Sequence, residues 1–266
     1  MIRVVKVGGR TQGDPRLSVA LRNAARTCDA PTDTGASLCV VHGGGDEVSA
    51  LQRRLGLEPQ FHGGRRVTNA ADLEVVRMVL SGTINKRVVA LLLAQGIRAV
   101  GISGEDGFLF AARATHRAMM GRVGGAVSVN PAIVLHLLAG GYVPVISPLA
   151  RDMDDAGIGN GGLNVNGDDA AAAVAAALRA DELLFVVDVQ GVVVDGAVVS
   201  SLDSDDASAL VTSGAAPGGM SAKLEAAARA LDGGVGVVRI AGIEGIGNAG
   251  AGTRILLSHS SAREIR

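Results

Sequence analysis

The chain has 266 residues and a formal net charge of −1; 48% of its residues are hydrophobic, only 2% are aromatic, and Trp is absent. This length allows one large domain or two lobes, while the scarce aromatic side chains and balanced charge exclude a stacking platform or a basic field for nucleic acid. The longest small-apolar run, Ala170–Leu178, is too short to cross a bilayer and the N-terminus lacks a signal-peptide layout, so we expect a cytoplasmic protein without nucleic-acid or membrane partners.

Short apolar runs predict strands, which are, in chain order, Ile2–Val7, Ser37–His42, Arg98–Ser103, Tyr142–Ser147, Leu183–Asp188, Val235–Ala241 and Thr253–Leu257. Helical patterns lie between most of them, at Asp46–Leu55, Ala71–Leu80, Ile84–Gln95, Pro131–Ala139, Asp168–Arg179, Ala207–Ser213 and Ser221–Leu231. Near-continuous apolar strands are typical of a parallel sheet that is covered on both faces. The alternation favours an open, doubly wound α/β sheet, in which ligands collect at the carboxyl ends of the strands.

One segment interrupts this alternation. Arg151–Gly162 is rich in glycine and acidic residues, which indicates a loop between an N-terminal half of about residues 1–160 and a C-terminal half of about residues 161–266. We found no internal repeat that would divide the chain differently.

The two cysteines, Cys28 and Cys39, show no metal-binding spacing, and no histidine pattern accompanies them. Cys39 lies in an apolar run and is predicted to be a small core residue. We therefore expect neither structural zinc nor a disulfide framework, and no metal ion held by protein side chains alone.

Lysine is scarce, because 22 of the 25 basic residues are arginine and only Lys6, Lys86 and Lys223 remain. An ammonium is a compact point charge, whereas a guanidinium is a wide planar fork, so a retained lysine is a candidate for a role that arginine cannot fill. Lys6 ends a predicted strand before Gly8 and Gly9, and Lys223 follows a glycine pair at the start of a predicted helix. Point charges beside glycine turns indicate phosphate binding, although three lysines can also fall at random.

Glycine motifs need discounting in a chain with 38 glycines. The matches to a dinucleotide fingerprint at Gly157–Gly162 and Gly245–Gly250 lack the preceding strand or the following helix, and no lysine follows a glycine as a Walker A motif requires. The run His42–Gly45 is more informative, since an apolar strand precedes it and a helix follows. Such a turn lets backbone N–H groups approach an anion, whereas His42 itself is more often a structural residue.

Three polar motifs also lie beside predicted elements. In Gly64–Thr68 a pair of arginines precedes a helix, which suits a carboxylate although most arginine pairs are solvated. Asp168 opens an alanine-rich helix, and from the residues alone a role for it or its neighbour as the N-cap is favoured over catalysis. The segment Asp188–Val192 follows a buried strand, a common place for nucleotide contacts.

Taken together and in this order, these motifs resemble the amino acid kinase family, most closely its acetylglutamate branch. The matching segments cover essentially the whole chain and include all three lysines. They are KVGG (Lys6–Gly9), HGGG (His42–Gly45), GRRVT (Gly64–Thr68), MVLSGTINK (Met78–Lys86), GISGEDG (Gly101–Gly107), GYVPVISP (Gly141–Pro148), LNVNGDDAA (Leu163–Ala171), VVDVQGVV (Val186–Val193), GGMSAK (Gly218–Lys223) and GTRI (Gly252–Ile255).

The resemblance implies a single domain over residues 1–266, a three-layer α/β/α sandwich around a mainly parallel open sheet. It implies that the N-terminal half binds N-acetyl-L-glutamate, that the C-terminal half binds ATP with Mg²⁺, and that the side-chain carboxylate is phosphorylated. Lys6, Lys223 and Asp168 would be catalytic, with both lysines converging on one nucleotide. The implied substrate-binding residues are Gly44, Gly45, Arg66 and Asn164. The implied nucleotide-binding residues are Gly8, Gly9, Asp188, Val189, Gln190, Gly191, Val192, Val193, Ala215, Ala216 and Pro217.

The sequence departs from the family pattern at Asp46, where proline is frequent, at Gly167, where alanine is common, and at the variable position Glu105. It also shows no additional N-terminal helix of the kind that arginine-inhibited members use to form hexamers, so the expectation is a homodimer insensitive to arginine. N-succinylglutamate or a carrier-linked glutamate or aminoadipate stay open as acceptors. Carbamate kinase or aspartokinase activity, a non-catalytic sensor on this fold and a nicotinamide enzyme are the further alternatives.

Overall fold

The computed structural model describes residues 1–27, 38–155, 161–216 and 218–258. In these residues the strands are, in chain order, β1 (Arg3–Val7), β2 (Leu38–His42), β3 (Phe61–His62), β4 (Arg65–Arg66), β5 (Ala99–Ser103), β6 (Phe110–Ala114), β7 (Gly124–Val129), β8 (Val143–Ser147), β9 (Leu149–Asp152), β10 (Gly162–Asn164), β11 (Glu182–Val186), β12 (Val193–Val194), β13 (Ala197–Val198), β14 (Ser201–Asp203), β15 (Val237–Ala241) and β16 (Thr253–Leu256).

The α-helices of the same residues are α1 (Arg16–Thr27), α2 (Gly45–Arg54), α3 (Ala70–Arg77), α4 (Asn85–Leu93), α5 (Arg117–Met120), α6 (Ala132–Ala139), α7 (Gly167–Ala177), α8 (Ser204–Thr212) and α9 (Gly219–Asp232). A π-helical segment, Met78–Ile84, joins α3 to α4. The predicted strands and helices are all confirmed, with ends shifted by a few residues. In the part of the chain that the structure describes, no helix is long and apolar enough to cross a bilayer.

An eight-stranded sheet forms the centre of the molecule, in the order β14-β16-β15-β11-β1-β2-β8-β5. Only β15 and β16 pair antiparallel, and every other neighbouring pair is parallel. All five residues of β1, β2, β8 and β11 are buried, as expected for central strands with both faces covered. The predicted fold class is confirmed.

Successive side chains of the central strands enter different cores, because side chains alternate across a sheet. Val4 of β1 and Val41 of β2 belong to a core completed by α6, α7 and α9. Val5 of β1 and Val40 of β2 belong to a second core completed by α1, α2, α3 and α4. The two cores lie on opposite faces of the sheet and make the three layers. Cys39 is fully buried in the first core, as predicted, and burial raises the pKa of its thiol to about 12, whereas Cys28 lies outside the described residues.

A second, four-stranded sheet has the order β10-β9-β6-β7, and its strand β7 packs on α7. The sequence did not predict these strands. The glycine- and acid-rich segment predicted as a loop begins and ends in two of them, since Arg151 of β9 pairs with Gly162 of β10 in an antiparallel ladder. Residues 156–160, in the middle of that segment, lie outside the described residues.

Candidate active site

Lys6 lies near the carboxyl end of β1, the strand that β2 and β11 flank on either side. Its backbone belongs to the buried strand, and only 7% of the residue is exposed. The chain then turns at Gly8 and Gly9, so Lys6 lies at the carboxyl end of a central parallel strand. Ligands bind preferentially at such positions in open α/β sheets.

Asp168 lies in the first turn of α7, where it is 5% exposed. Asn166, not Asp168, caps this helix, because its side-chain oxygen accepts hydrogen bonds from the backbone N–H groups of Asp168 at 2.8 Å and Asp169 at 3.3 Å. The capping role that the sequence favoured for Asp168 or its neighbour is therefore wrong. With the cap supplied by Asn166, the Asp168 carboxylate is free to make other contacts.

The structure brings Lys6, Asp168 and Lys223 together. The Lys6 ammonium lies 2.7 Å from Asp168 Oδ1, and Lys223 Nζ, on α9, donates to Asp168 Oδ2 at 3.2 Å. Burial alone would raise the pKa of Asp168, but the two ammonium groups outweigh it and hold this pKa below its ordinary value. The carboxylate is thus ionised at neutral pH and holds two cations in a nearly dry environment.

A cavity of about 580 Å³ opens on one side of this cluster, at the carboxyl ends of β1 and β11. Lys6 and Lys223 line it together with glycines, apolar residues and further polar residues. The predicted nucleotide-binding residues that line it are Gly8, Gly9, Asp188, Val189, Gly191, Val192, Val193, Ala215 and Ala216. Its size and mixed lining fit a small organic ligand.

A second cavity, of about 250 Å³, lies beyond the carboxyl end of β2, and Lys6 lines both cavities. Its lining includes all four predicted substrate-binding residues, Gly44, Gly45, Arg66 and Asn164, and also Asp168. The Asn164 side chain donates to Thr68 Oγ1 at 3.1 Å. Because the two cavities share Lys6, a group bound in one can reach a group bound in the other at this ammonium.

The glycine turns after β1 and β2 touch each other between the cavities. A Cβ on Gly9 would lie 3.4 Å from Gly44 Cα, so the two backbones are in close contact. At Gly44, which precedes α2, a Cβ would lie 2.0 Å from Ile84 Cδ1 and 3.0 Å from Leu80 Cδ2 of the π-helical segment. The absence of a side chain at Gly44 therefore lets that segment pack directly on the turn.

Arg66 is a buried guanidinium on the wall of the smaller cavity, 8% exposed. It donates to Gly45 O and Ser49 Oγ, both at 2.7 Å, and to Gln52 Oε1, and its guanidinium carbon lies 4.7 Å from the centre of the Phe61 ring. All three hydrogen-bond acceptors are uncharged. Burial accordingly lowers the pKa of Arg66 from its usual value, and an anionic ligand in the cavity would supply the counter-charge.

His42 is fully buried, and burial lowers the pKa of its imidazole to about 4. Asn85 Nδ2 lies 3.2 Å from Nε2, and Nδ1 lies 3.1 Å from Gly43 O. Since Asn85 donates to Nε2, the ring proton is on Nδ1 and is donated to the Gly43 carbonyl. His42 thus fixes the glycine turn as a neutral side chain, in agreement with the structural role that the sequence favoured.

Two predicted nucleotide-binding residues are not placed at a cavity. Gln190 is exposed and absent from the lining of both cavities, although its neighbours Val189 and Gly191 line the larger one, and Pro217 lies outside the described residues. The structure adds Arg10 and Asp46 to the larger cavity, where Arg10 pairs with Asp46 at 3.6 Å and with Asp188 at 3.3 Å. In the sequence, the position of Arg10 directly after the Lys6–Gly9 motif was the signal that could have placed it at this cavity.

Comparisons with known proteins agree with this architecture. The family model of the amino acid kinase family matches residues 1–242. An acetylglutamate kinase from Chloroflexus aurantiacus is 42% identical over 253 residues, which cover 94% of this chain and 95% of the relative. An acetylglutamate kinase from Cereibacter sphaeroides is 43% identical over 238 residues, which cover 89% of this chain and 78% of the relative.

Among solved structures, smu.665 from Streptococcus mutans UA159 superposes with a TM-score of 0.83 at 26% identity, covering 97% of this chain and 99% of that one. The match of the family model to residues 1–242, together with relatives above 40% identity that are covered to 95% and 78% of their length, settles the class. The chain belongs to the amino acid kinase family.

Proposed function

We propose that this protein is an ATP-dependent kinase that phosphorylates the side-chain carboxylate of N-acetyl-L-glutamate in arginine biosynthesis. The observation that carries the proposal is the contact of Lys6 and Lys223 with one buried carboxylate, at the junction of two cavities. The relatives at 42% and 43% identity, both named acetylglutamate kinase, support the same activity.

The chemistry requires charge neutralisation more than proton transfer. A glutamate side chain has a pKa of about 4.3 and is ionised at neutral pH, so it can attack phosphorus without a general base. One of its oxygens forms a bond to the γ-phosphorus of ATP, the bond from that phosphorus to the β,γ-bridging oxygen breaks, and ADP leaves with the electron pair. The products are an acyl phosphate and ADP. Positioning and stabilisation of the transferring negative charge supply most of the catalysis in such reactions.

Each catalytic side chain then has one role. Lys6, which lines both cavities, neutralises the transferring phosphoryl group together with the backbone amides of Gly8 and Gly44. Lys223, which lines only the larger cavity of the two, neutralises charge on the departing ADP. Asp168 orients both ammonium groups by charge-assisted contacts and does not itself exchange a proton.

The larger cavity is assigned to the nucleotide and the smaller one to the acylated amino acid. In the smaller cavity Arg66 binds the α-carboxylate, Asn164 bonds the amide-bearing end, and the turn at Gly44 and Gly45 contacts the substrate. Charge supports this assignment, since in the described part of the chain the buried Arg66 guanidinium donates its hydrogen bonds to the uncharged acceptors Gly45 O, Ser49 Oγ and Gln52 Oε1.

Mg²⁺ enters this proposal with the nucleotide. The described residues contain no group of three or more His, Cys, Asp or Glu side chains placed to hold a metal ion. Mg²⁺ commonly keeps several waters and is bound mainly through substrate phosphates, which suits such a site. Bound with the nucleotide, the ion would supply positive charge that reduces the repulsion between the two anions. We further propose a cytoplasmic homodimer, with an N-terminal half for the amino acid and a C-terminal half for ATP.

The experiment that tests the activity compares acceptors under identical conditions. Purified protein is incubated with MgATP and N-acetyl-L-glutamate, N-succinyl-L-glutamate or L-glutamate, while ADP release is followed and the acyl phosphate is trapped with hydroxylamine. We expect ADP and hydroxamate in equal amounts, with the highest kcat/KM for the acetylated substrate. A preference for the succinylated substrate would reassign the acceptor, and ADP release without hydroxamate would contradict carboxyl phosphorylation.

A further inference from the structure

Asp169, the residue after Asp168, joins three segments of the molecule. Its Oδ2 accepts from Arg65 Nη2 at 2.8 Å, and its Oδ1 accepts from Arg229 Nη2 at 2.5 Å. Arg65 lies on β4 and Arg229 on α9, so both contacts connect residues that are far apart in sequence. We refer to Arg65, Asp169 and Arg229 as the clamp.

The clamp is more than a surface ion pair, because its central carboxylate is nearly buried. The Asp169 side chain is 13% exposed, against 35% for Arg65 and 52% for Arg229. Solvent-exposed pairs contribute little because water screens them and both side chains must be ordered. A buried carboxylate that loses its cations keeps the cost of desolvation, so each arginine matters to the position of Asp169.

One end of the clamp holds the wall of the smaller cavity. β3 and β4 form a hairpin whose two-residue turn, Gly63 and Gly64, has positive φ at both positions, as a tight hairpin turn requires. Arg66, next to Arg65 on β4, ties this hairpin to α2 through Gly45 and Ser49. Arg65 ties the same strand to α7. The hairpin is therefore held from both sides while it lines the cavity.

The other end of the clamp holds the helix that carries Lys223. Arg229 and Lys223 both belong to α9, and they contact the adjacent residues Asp169 and Asp168 of α7. Asn166 fixes the backbone N–H groups of both aspartates, so their two carboxylates leave the same helical turn in defined directions. A shift of α9 relative to α7 would therefore disturb both contacts together.

We propose that Asp169 is a positioning residue for the phosphoryl transfer. It fixes the hairpin over the amino-acid cavity through Arg65, and it fixes α9, with Lys223, through Arg229. The inference rests on the proposed function, and it assigns a different effect to each of the two arginines. Arg65 acts on the affinity for the acylated amino acid, whereas Arg229 acts on the chemical step through the position of Lys223.

The test is a set of variants that remove charge with little change in shape: Asp169→Asn, Arg65→Gln, Arg229→Gln and the double variant Arg65→Gln/Asp169→Asn. We expect Arg65→Gln to raise KM for N-acetyl-L-glutamate about fivefold or more with kcat nearly unchanged. We expect Arg229→Gln to lower kcat by a similar factor, and Asp169→Asn to do both. The double variant should have the KM of Asp169→Asn alone, because contacting residues couple in such a cycle.

Asp169→Glu, which keeps the charge, should recover part of the loss. Asp232→Asn, at the exposed end of α9, makes the same chemical change away from the clamp and should match the wild type.

KM and kcat within twofold of wild type in Asp169→Asn would overturn the proposal. A KM effect in the double variant equal to the product of the single effects would also overturn it. If Asp169→Asn does not fold, Arg65→Gln alone tests the proposed effect on the affinity for the amino acid. An unchanged KM for N-acetyl-L-glutamate in Arg65→Gln then overturns the proposal. Wild-type turnover is measured first, so a failure of the proposed function is recognised separately.

Discussion

Lys6 and Lys223 approach different oxygens of the same carboxylate, that of Asp168, at 2.7 Å and 3.2 Å. Lys6 comes from β1, in the middle of the central sheet, and Lys223 comes from helix α9. The arrangement places two point charges at the meeting point of two cavities, which is what transfer of a phosphoryl group between two anions requires.

Arg66 is expected to govern affinity for the amino-acid substrate. Replacement by alanine removes the charged donor from the smaller cavity and should raise KM for N-acetyl-L-glutamate by about tenfold or more, since a hydrogen bond to a charged group is worth about 1.5–3 kcal/mol. The effect on kcat should be small by comparison. Initial-rate kinetics over a range of substrate concentrations measure both constants.

Arg54→Ala is the matched control for Arg66→Ala, because Arg54 lies on the exposed side of α2. It should leave KM unchanged. Arg66 is buried and could also support the fold, so the melting temperature of each variant is recorded. A folded Arg66→Ala protein with the wild-type KM would remove Arg66 from the substrate site.

His42 is expected to make the protein less stable below neutral pH. Its pKa is about 4 in the folded chain and near 6.5 when unfolded, so between these values the unfolded state binds more protons. The free energy of unfolding therefore falls as pH falls through this window, and His42 should account for about 2 kcal/mol between pH 7 and pH 5. Above the unfolded pKa the ring is neutral in both states and contributes nothing to the pH dependence.

Urea unfolding of wild type and His42→Gln at pH 7 and pH 5 checks this prediction. The variant keeps the other four histidines, so the difference between the two proteins isolates His42. We expect the loss of stability on acidification to be smaller in His42→Gln by about 2 kcal/mol. An identical loss in both proteins would show that His42 titrates normally.

Gly44→Ala should be destabilising because the turn before α2 has no room for a side chain. The new methyl group would meet Ile84 and Leu80 at 2.0 Å and 3.0 Å, and overpacking of this kind costs about 1–3 kcal/mol. Gly82→Ala lies on the same π-helical segment, where an added Cβ has no atom within 4 Å, and should be at least as stable as wild type. Chemical denaturation compares the two, and equal stability would contradict the close packing at Gly44.

The central sheet was predictable because its strands are continuous apolar runs with both faces buried. The second sheet was not, because a strand such as β7 (Gly124–Val129) has only its first residue buried and is specified by distant partners. Helix α1 (Arg16–Thr27) did carry a signal, since Leu17, Leu21 and Ala24 are buried at helical spacing. That helix was missed although the pattern was present.

The candidate site likewise contains some residues that the sequence could identify and others that it could not. Lys6, Asp168 and Lys223 lie in motifs that the resemblance identifies, and the structure brings them into contact as expected. Their catalytic roles stay predictions until they are tested. The contacts of Asp169 with Arg65 and Arg229 had no such signal, because each is an ordinary charge in the sequence and the pairing depends on how β4, α7 and α9 pack.

The most direct test of the account is kcat in Lys6→Arg and Lys223→Arg, with Lys86→Arg as the control. Lys86 contacts Asn85 and the Gly101 carbonyl and belongs to neither cavity lining. A guanidinium cannot occupy the place of an ammonium between two anions, so both variants should lose about a hundredfold or more in kcat, with KM values within about threefold of wild type. Lys86→Arg should keep full activity. Turnover within a few fold of wild type in both site variants would contradict the account.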